Sequence, residues 1–450
     1  MKRLLISTAI FLFLASAVTA DALLDREYRS VTLDNGLEVI MIKAGSEPIV
    51  TIEIAVKNGA YTQTPENCGL SHLYEHMFFK GNKKWTSQED YARRIRELGI
   101  VYNGMTSNEA VRYFFTLPSR REEEGMEFMA YAIMDPIFDT LELAKERNVV
   151  LNEFDRDYSE PSYIFYQINE EAMFEKFFYR KNAIGDKNVI ANATQKQMFE
   201  IKDRYYIPNN SALIIVGDID FNKTEKLVRK YFTRWERMES PAFSFEEHPY
   251  LDSTKNVSTI QDVSATDMMI TFRGPDVGKK NDDTYAIDLL CEIMKLKSLP
   301  LYTKLINDGV SYDYYLGYYT QRDGATVTFY FTSPAENAYN AKEIFFSELR
   351  NAYESDWLTD EVLNQAKEKA EMNFYQDIES SVDFALGVGF WWCVSDIGYF
   401  KNYLDNLRKV NKEDIKRVLK DYLIDKPYVE GLMTDEKSFK EIFAVEGAIK

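Results

Sequence analysis

The chain has 450 residues, of which 45% are hydrophobic and 28% are charged, and its formal net charge at pH 7 is −18. This length exceeds one ordinary hydrophobic core, so we expect at least two domains in a globular protein. The acidic balance argues against nucleic acid as a partner, because its phosphates would be repelled. The negative charge favours cationic peptides as ligands only if the Asp and Glu side chains line a cavity. An acidic surface that keeps the protein soluble explains the charge equally well.

Residues 1–20 have the pattern of a secretory signal peptide. Lys2 and Arg3 precede an apolar run over residues 4–17, and small residues precede Asp21. The apolar run is shorter than the roughly 20 residues that a membrane-spanning helix needs, although an uncleaved anchor is the alternative. We therefore expect an exported protein, periplasmic or extracellular, with no membrane span after cleavage.

The elements that follow are predicted from turns and hydrophobic periodicity. A strand at residues 31–33 is followed by the turn Asp34-Asn35-Gly36 and a strand at residues 37–41, which together indicate a hairpin. Further strands are expected at residues 49–56 and 212–216, and helices at residues 70–79, 88–98, 119–132, 141–158 and 223–231. Because strands and helices are interleaved without regular βαβ alternation, the predicted fold class is α+β.

Two of the three histidines fall in the run His72-Leu73-Tyr74-Glu75-His76. Residues four apart on a helix share a face, so both imidazoles can point at one metal ion. Glu75 projects from nearly the same face and can contact a metal-bound water. This order is the inverse of the His-Glu-x-x-His zinc motif. We therefore predict one Zn²⁺ site with His72 and His76 as ligands and Glu75 as general base.

The helix predicted at residues 141–158 offers the missing third ligand. Glu146 and Glu153 lie two helical turns apart and share a stripe. We expect Glu153 to bind the metal and Glu146 to hold a ligand in place from behind. The alternatives are a motif that arose by chance and a solvated acidic helix face. Cys68, one turn before His72, is a less favoured ligand.

Residues 237–255, which contain Pro241 and Pro249, are predicted to link two halves. The halves would be a metal-bearing domain at residues 21–236 and a second domain at residues 256–450. A weak internal repeat supports this division, because residues 198–206 and 415–422 each close a helix before a proline and an apolar stretch. His248, in the linker, is expected to be a surface or packing residue. The three cysteines are expected to be buried free thiols.

Several blocks in the same order resemble the pitrilysin/insulinase metallopeptidases, in particular the processing-peptidase-like bacterial members. They are residues 69–81 around the histidines, Glu146 and Glu153, residues 206–218, and Asn103-Gly104-Met105-Thr106 before Tyr113. The resemblance implies a clamshell of two homologous α+β halves, each an antiparallel sheet with helices packed on it, with zinc in the first half only. It also implies that a substrate peptide adds to the edge strand that carries Asn103, Gly104, Met105 and Thr106. An ordinary turn at Asn103-Gly104 is the alternative.

The second half departs from the family pattern in one place. Where members carry a substrate-contacting Arg and Tyr, residues 305–312 keep Tyr312, but Ile306 stands at the Arg position. An isoleucine cannot donate a hydrogen bond to a substrate carbonyl. Either a related second subunit supplies the Arg/Tyr pair, which we favour, or Lys304 or Arg322 substitutes.

The sequence thus predicts a zinc-dependent endopeptidase that acts on peptides or unfolded segments, with cationic peptides as candidate substrates and Glu75, Glu146 and Tyr312 as catalytic residues. A structural or binding subunit that keeps the fold without hydrolysis is the main alternative. A solute-binding protein for cationic peptides is a weaker one.

Overall fold

The computed structural model describes residues 21–243, 245–355 and 357–446. The predicted signal peptide therefore lies outside the described residues. None of the helices in the described part has the length and apolar character needed to cross a membrane.

The first sheet combines strands from both ends of the first half. Its strands are β1 (Asp21–Leu23), β2 (Arg26–Thr32), β3 (Glu38–Lys43), β4 (Ile49–Val56), β5 (Val101–Thr106), β6 (Val111–Pro118) and β7 (Ser211–Gly217). Their order is β1-β2-β3-β7-β4-β6-β5, so β5 is an edge strand that pairs only with β6. β7 inserts between β3 and β4, parallel to β3 and antiparallel to β4.

The second sheet repeats the topology of the last five strands of the first. Its strands are β8 (Lys255–Ile260), β9 (Thr266–Arg273), β10 (Asp313–Tyr319), β11 (Thr326–Ser333) and β12 (Val429–Thr434), in the order β10-β11-β9-β12-β8. The late strand β12 again inserts parallel to one neighbour, β8, and antiparallel to the other, β9. The two halves are therefore homologous in topology. Each sheet contains one parallel pair within an otherwise antiparallel sheet, because the last strand arrives by a long helical connection.

Helices pack on both sheets. In the first half they are α1 (Leu70–Phe78), α2 (Gln88–Leu98), α3 (Glu122–Met134), α4 (Thr140–Asp157), α5 (Pro161–Phe174), α6 (Lys187–Ala191), α7 (Gln195–Tyr205) and α8 (Phe221–Phe232). In the second half they are α9 (Asn281–Met294), the single turn α10 (Pro300–Tyr302), α11 (Ala338–Glu354), α12 (Asp360–Asp377), α13 (Ser381–Val394), α14 (Ile397–Lys409), α15 (Lys412–Val418) and α16 (Glu436–Glu446).

The halves exchange one helix each. In the first sheet, β4 and β7 are buried on both faces, because α1 and α3 cover one face and α13 from the second half covers the other. In return, α5 from the first half packs on β8, β9 and β12 of the second sheet, where Phe165 contacts Met269 and Met433. This exchange buries apolar surface from both halves in shared clusters, so the halves interlock.

Most predicted elements are confirmed with small shifts at their ends. The predicted helices at residues 88–98 and 70–79 correspond to α2 and α1, and the strand at residues 49–56 to β4. The predicted hairpin is formed by β2 and β3, although β2 begins earlier than expected. Residues 237–243 and 245–254 form no helix or strand. The assignment of residues 237–255 as a domain linker stays a prediction.

Glu53 is a carboxyl buried in the contact between the two halves. It lies on the face of β4 that α13 covers, and both of its carboxyl oxygens are buried with no hydrogen-bond partner among the described residues. A Cβ atom at Gly389 of α13 would lie 2.2 Å from its Oε1 atom. Burial raises the pKa of the Glu53 carboxyl from 4.5 to about 8, and Arg112 offsets only part of that effect.

This burial predicts a pH-dependent stability. Between pH 4.5 and about 8 the folded protein holds a proton that the unfolded chain releases. The free energy of unfolding should therefore fall as pH rises, by up to about 1.4 kcal/mol per unit. Glu53→Gln removes this titration. Its stability relative to wild type in urea unfolding should rise steadily between pH 5 and pH 8, and a constant difference would contradict the assignment.

Candidate metal centre

Helix α1 begins at a closely packed corner of the first half. Gly69 precedes the helix with φ of +91°, and its amide donates a 2.6 Å hydrogen bond to Oε1 of Gln63. The same Gln63 side chain donates through Nε2 to the carbonyl oxygens of Tyr179 and Asn182. One buried amide side chain therefore ties the start of α1 to the segment that follows α5.

Three potential ligand atoms converge between α1 and α4. The Nε2 atoms of His72 and His76 lie 3.3 Å apart, and Oε2 of Glu153 lies 3.8 Å from the first and 3.5 Å from the second. Among the described residues, these three form the one cluster of His, Cys, Asp and Glu side chains with metal-ligand spacing. The structure therefore brings the three predicted ligands together.

The dimensions of this cluster fit a tetrahedral metal. Zinc binds imidazole nitrogen and carboxylate oxygen at about 2.0–2.2 Å, and neighbouring tetrahedral ligands at that radius lie roughly 3.4 Å apart. The observed separations of 3.3, 3.5 and 3.8 Å are close to that edge length. Burial, followed by the proximity of His76, lowers the pKa of His72 to about 4, so this imidazole is neutral near pH 7 and free to bind a cation.

Glu146 supports His76 from behind. Its Oε2 atom lies 3.2 Å from Nδ1 of His76, and its Oε1 atom forms a 2.7 Å ion pair with Nζ of Lys80. Burial acts to raise the pKa of Glu146, but the hydrogen bonds from His76 and Lys80 outweigh it and lower the pKa. The carboxylate can therefore orient the imidazole so that Nε2 points into the cluster. His72 has no such support, because its Nδ1 atom is buried without a hydrogen-bond partner among the described residues.

Glu75 lies beside the cluster and against the edge strand. Its Oε2 atom accepts a 3.0 Å hydrogen bond from the Thr106 hydroxyl of β5. Burial raises the pKa of Glu75, and His76 and Thr106 oppose this rise. A Cβ atom at Gly104 would lie 2.9 Å from Cγ and Oε1 of Glu75, so glycine lets β5 approach the carboxylate closely.

The segment Asn103–Thr106 is a strand and not an isolated turn. Because β5 is an edge strand, one side of its backbone is free of strand partners among the described residues. The Sδ atom of Met105 lies 2.8 Å from Nη2 of Arg112 on β6, and the Asn103 side chain is exposed. The sequence therefore identified this edge, but it gave no sign of the contact between Gly104 and Glu75.

The second-half candidates are not joined to this cluster by any described hydrogen bond or ion pair. Tyr312 lies just before β10 and is 65% exposed. Ile306 packs against the core of the second half. Lys304 forms a 2.6 Å ion pair with the buried Glu348, and Arg322 donates to the backbone carbonyls of Cys393 and Val394.

The cysteines and His248, the other residues considered from the sequence, are buried and pack against neighbouring residues. The Cys68 thiol faces the carbonyl oxygens of Tyr179 and Asn182, and burial raises its pKa to about 12, which disfavours the thiolate that a metal would need. All three cysteines are free and buried, as predicted. His248 is buried against Phe174 and Phe177. Sequence reasoning missed Lys80, whose position one turn after His76 was the available signal.

The close contact between Gly69 and Gly185 gives a stability prediction. A Cβ atom at Gly185 would lie 2.2 Å from the Cα atom of Gly69, and the residue has φ of +86°. Gly99 also has positive φ, but a Cβ atom there would have nothing within 4 Å. Gly185→Ala should therefore lower the free energy of unfolding by at least about 2 kcal/mol more than Gly99→Ala, measured by urea unfolding. Equal losses would show that backbone conformation alone accounts for the cost.

Comparison with known families gives two adjacent matches. Residues 38–184 match the family model described as Insulinase (Peptidase family M16). Residues 192–370 match the model described as Peptidase M16 inactive domain. The first match includes every residue of the three-ligand cluster, and the second covers most of the second sheet.

Individual proteins are similar over different lengths. Zinc protease PqqE of Helicobacter pylori is 23% identical over 433 residues, which cover 94% of this chain and 96% of that protein. Insulin-degrading enzyme of Homo sapiens is 26% identical over 232 residues, which cover 50% of this chain but only 23% of that enzyme. The crystal structure of a protease from Helicobacter pylori superposes with a TM-score of 0.81 at 22% identity, covering 91% of this chain and 99% of that one. This last similarity supports the fold of two homologous halves.

Proposed function

Because this chain is a homologue of the zinc proteases of peptidase family M16, we propose that it is a zinc-dependent endopeptidase that hydrolyses peptides or unfolded polypeptide segments. The observation that carries the proposal is the convergence of His72, His76 and Glu153 at tetrahedral spacing beside the carboxylate of Glu75. A purely structural role would place no demand on Glu75.

The proposed mechanism assigns each group one task. Zinc, when bound, would lower the pKa of a water molecule and polarise the scissile carbonyl. Oε2 of Glu75 is held by Thr106, so Oε1 is the atom proposed to accept the proton of the attacking water and return it to the leaving amine nitrogen. Glu146 would keep Nε2 of His76 available to the metal through its contact with Nδ1 of the same ring.

We propose that the substrate lies along β5 as an added strand. The free backbone edge of Asn103, Gly104, Met105 and Thr106 can pair with an extended peptide of almost any sequence. Glu75 contacts Thr106 and Gly104, so a peptide on this edge would lie next to the proposed base. Because Gly104 lets β5 approach Glu75 closely, the distance between a bound peptide and the Glu75 carboxylate would be short.

We further propose that the chain is the metal-bearing subunit of a heterodimer in an exported compartment. Ile306 packs in a core, while Lys304 and Arg322 are engaged by Glu348 and by backbone carbonyls, so neither cation is available to substitute for the family Arg. A related subunit would supply the Arg/Tyr pair, with Tyr312 of this chain as an additional donor. Export is inferred from residues 1–20.

A non-proteolytic structural or binding subunit is the second candidate function. The isoleucine at position 306 and the match of residues 192–370 to an inactive domain favour it. The two functions differ in whether Glu75 affects turnover.

Glu75→Gln should abolish turnover while leaving the metal in place. Loss of the general base is expected to reduce kcat by about 10²–10⁴-fold, because the amide cannot accept a proton. Peptide hydrolysis is measured on a mixed peptide pool and zinc content by elemental analysis, with the exposed Glu89→Gln as the matched control. Equal hydrolysis by both variants would overturn the role of Glu75.

Glu146→Gln should weaken metal binding. Removing the charge that supports His76 is expected to lower zinc affinity about 10–100-fold in a chelator competition. Glu142→Gln, on the same helix but paired with Lys145 at the surface, should leave affinity unchanged. Unchanged affinity in both variants would contradict the supporting role of Glu146.

The proposed heterodimer predicts that the peptidase activity of this chain depends on a second subunit. The purified chain alone should bind zinc but cleave peptides slowly, and addition of the related subunit that co-purifies with it should raise kcat by about 10²-fold or more, as expected for a restored oxyanion donor. Full, chelator-sensitive activity of the chain alone would contradict the split site. No activity in either state, with zinc bound, would favour the structural subunit.

A further inference from the structure

The second half contains a helix pair that corresponds to the metal-bearing pair of the first half. In the first half, α1 packs against the edge strand β5 and against α4. In the second half, α9 packs against the edge strand β10 and against α12. The helices α4 and α12 both have 18 residues. The repeated topology of the sheets places the two pairs in equivalent positions.

The residues at the equivalent positions have a different chemistry. Asp288, Cys291 and Glu292 on α9 have the same spacing as His72, Glu75 and His76 on α1. Asn373 lies thirteen residues after the first residue of α12, as Glu153 does in α4, and its Nδ2 atom lies 3.4 Å from Oε2 of Glu292. Carboxylates and an amide thus replace the imidazoles and the carboxylate of the first half.

This arrangement does not suit a metal ion. Lys295 places its ammonium 2.5 Å from Oε1 of Glu292, so a positive charge already neutralises that carboxylate. Burial raises the pKa of the Cys291 thiol, which keeps it protonated. Among the described residues, no three-ligand group forms there.

The same residues line a cavity of about 660 Å³. This volume falls within the range of ligand sites for small organic molecules. The wall is rich in aromatic rings, which are contributed by Tyr315, Phe374, Phe390, Trp391, Phe400 and Tyr403. Such rings attract cations through their faces and also bury apolar groups.

Asp288, Asp377 and Asp383 are the lining carboxyls that form no ion pair among the described residues, and of these three only Asp288 is not exposed to solvent. Asp288 accepts a 2.9 Å hydrogen bond from the Tyr403 hydroxyl. The other charged groups that face the cavity from the surrounding elements are Glu292 and Lys295 of α9, Asp377 of α12, Asp383 of α13 and Arg112 of β6. Four acids thus face two bases, and both bases are engaged, Lys295 by Glu292 and Arg112 by the carbonyl of Leu386.

We propose that this cavity binds an organic cation, an ammonium or guanidinium group carried on an apolar or aromatic body, with Asp288 as its counter-ion. The cation would pair with the carboxylate while its body contacts the aromatic wall. Two sources share this chemistry: a free amine, and the side chain of a lysine or arginine in a bound peptide. The proposal does not depend on zinc chemistry, because none of the three ligand residues lines this cavity, and neither does Glu75.

The test measures binding by calorimetry on the full chain carrying Glu75→Gln, so that no peptide is consumed. The probes are 2-phenylethylamine and its neutral analogue 2-phenylethanol. The amine should bind at least tenfold more tightly, and Asp288→Asn should remove that preference. Asp282→Asn, an exposed position on the same helix, should retain it. An undiminished amine preference in folded Asp288→Asn would overturn the proposal. Equal binding of amine and alcohol would overturn it as well when the peptides described below show no lysine preference.

A pH series provides a test that needs no substitution in the cavity. Burial raises the pKa of Asp288 to about 7, and Glu292 adds to this rise while Tyr403 and Lys295 oppose it. The amine stays protonated in this range, so its affinity should fall about tenfold from pH 8 to pH 6 as the carboxyl takes up a proton. Affinity that is independent of pH would contradict Asp288 as the counter-ion.

Two peptides separate the sources of the cation. One carries a single lysine and the other has norleucine at that position, both with blocked termini. A lysine preference that Asp288→Asn abolishes, with weak binding of the free amine, assigns the cavity to peptide side chains. Tight binding of the free amine without a lysine preference assigns it to a small molecule. Absence of both preferences overturns the proposal.

Discussion

Helices α5 and α13 each pack on the sheet of the half to which they do not belong in the sequence, and the arrangement of the whole molecule depends on this exchange. Since α13 covers one face of the first sheet, α1 and α4 are confined to the other face. The same contact encloses Glu53 between β4 and α13, which no isolated half could bury in this way. Polar links reinforce the exchange, because Glu109 of the first half accepts from the backbone amides of Arg322 and Asp323 in the second.

Within this frame the same helix-pair geometry occurs twice with different chemistry. In the first half, imidazoles and a carboxylate converge with the spacing of a metal site. In the second half, the equivalent positions carry two carboxylates, an amide and a thiol, and an internal lysine supplies a cation. The second half therefore has a cavity with an acidic, aromatic lining at the place where the first half has its three-ligand cluster. One duplicated scaffold can in this way offer a site for water activation and another for cation recognition.

The sequence predicted the parts of this structure that local patterns determine. The spacing of His72 and His76 specified one helical face, and the stripe of Glu146 and Glu153 specified the facing helix, so the cluster itself was predictable. The approach of Gly104 to Glu75 was not, because it depends on how closely an edge strand packs on a helix. The sequence also gave no indication that β7 pairs in parallel with β3, or β12 with β8, because a long connection between strands leaves no local signal. The roles of Asp288 and Asn373 could not be predicted either, because only the packing of α9 against α12 shows that these residues correspond to the ligands of the first half.

We propose that His72, His76 and Glu153 bind zinc, and the rest of the proposed chemistry depends on this site. X-ray absorption at the zinc edge of the purified protein tests this proposal most directly. The structure predicts a shell of nitrogen and oxygen atoms at about 2.0–2.2 Å, with the outer-shell signature of two imidazoles and no sulfur. A sulfur shell at about 2.3 Å, or a spectrum unchanged by His72→Ala and His76→Ala, would contradict the account.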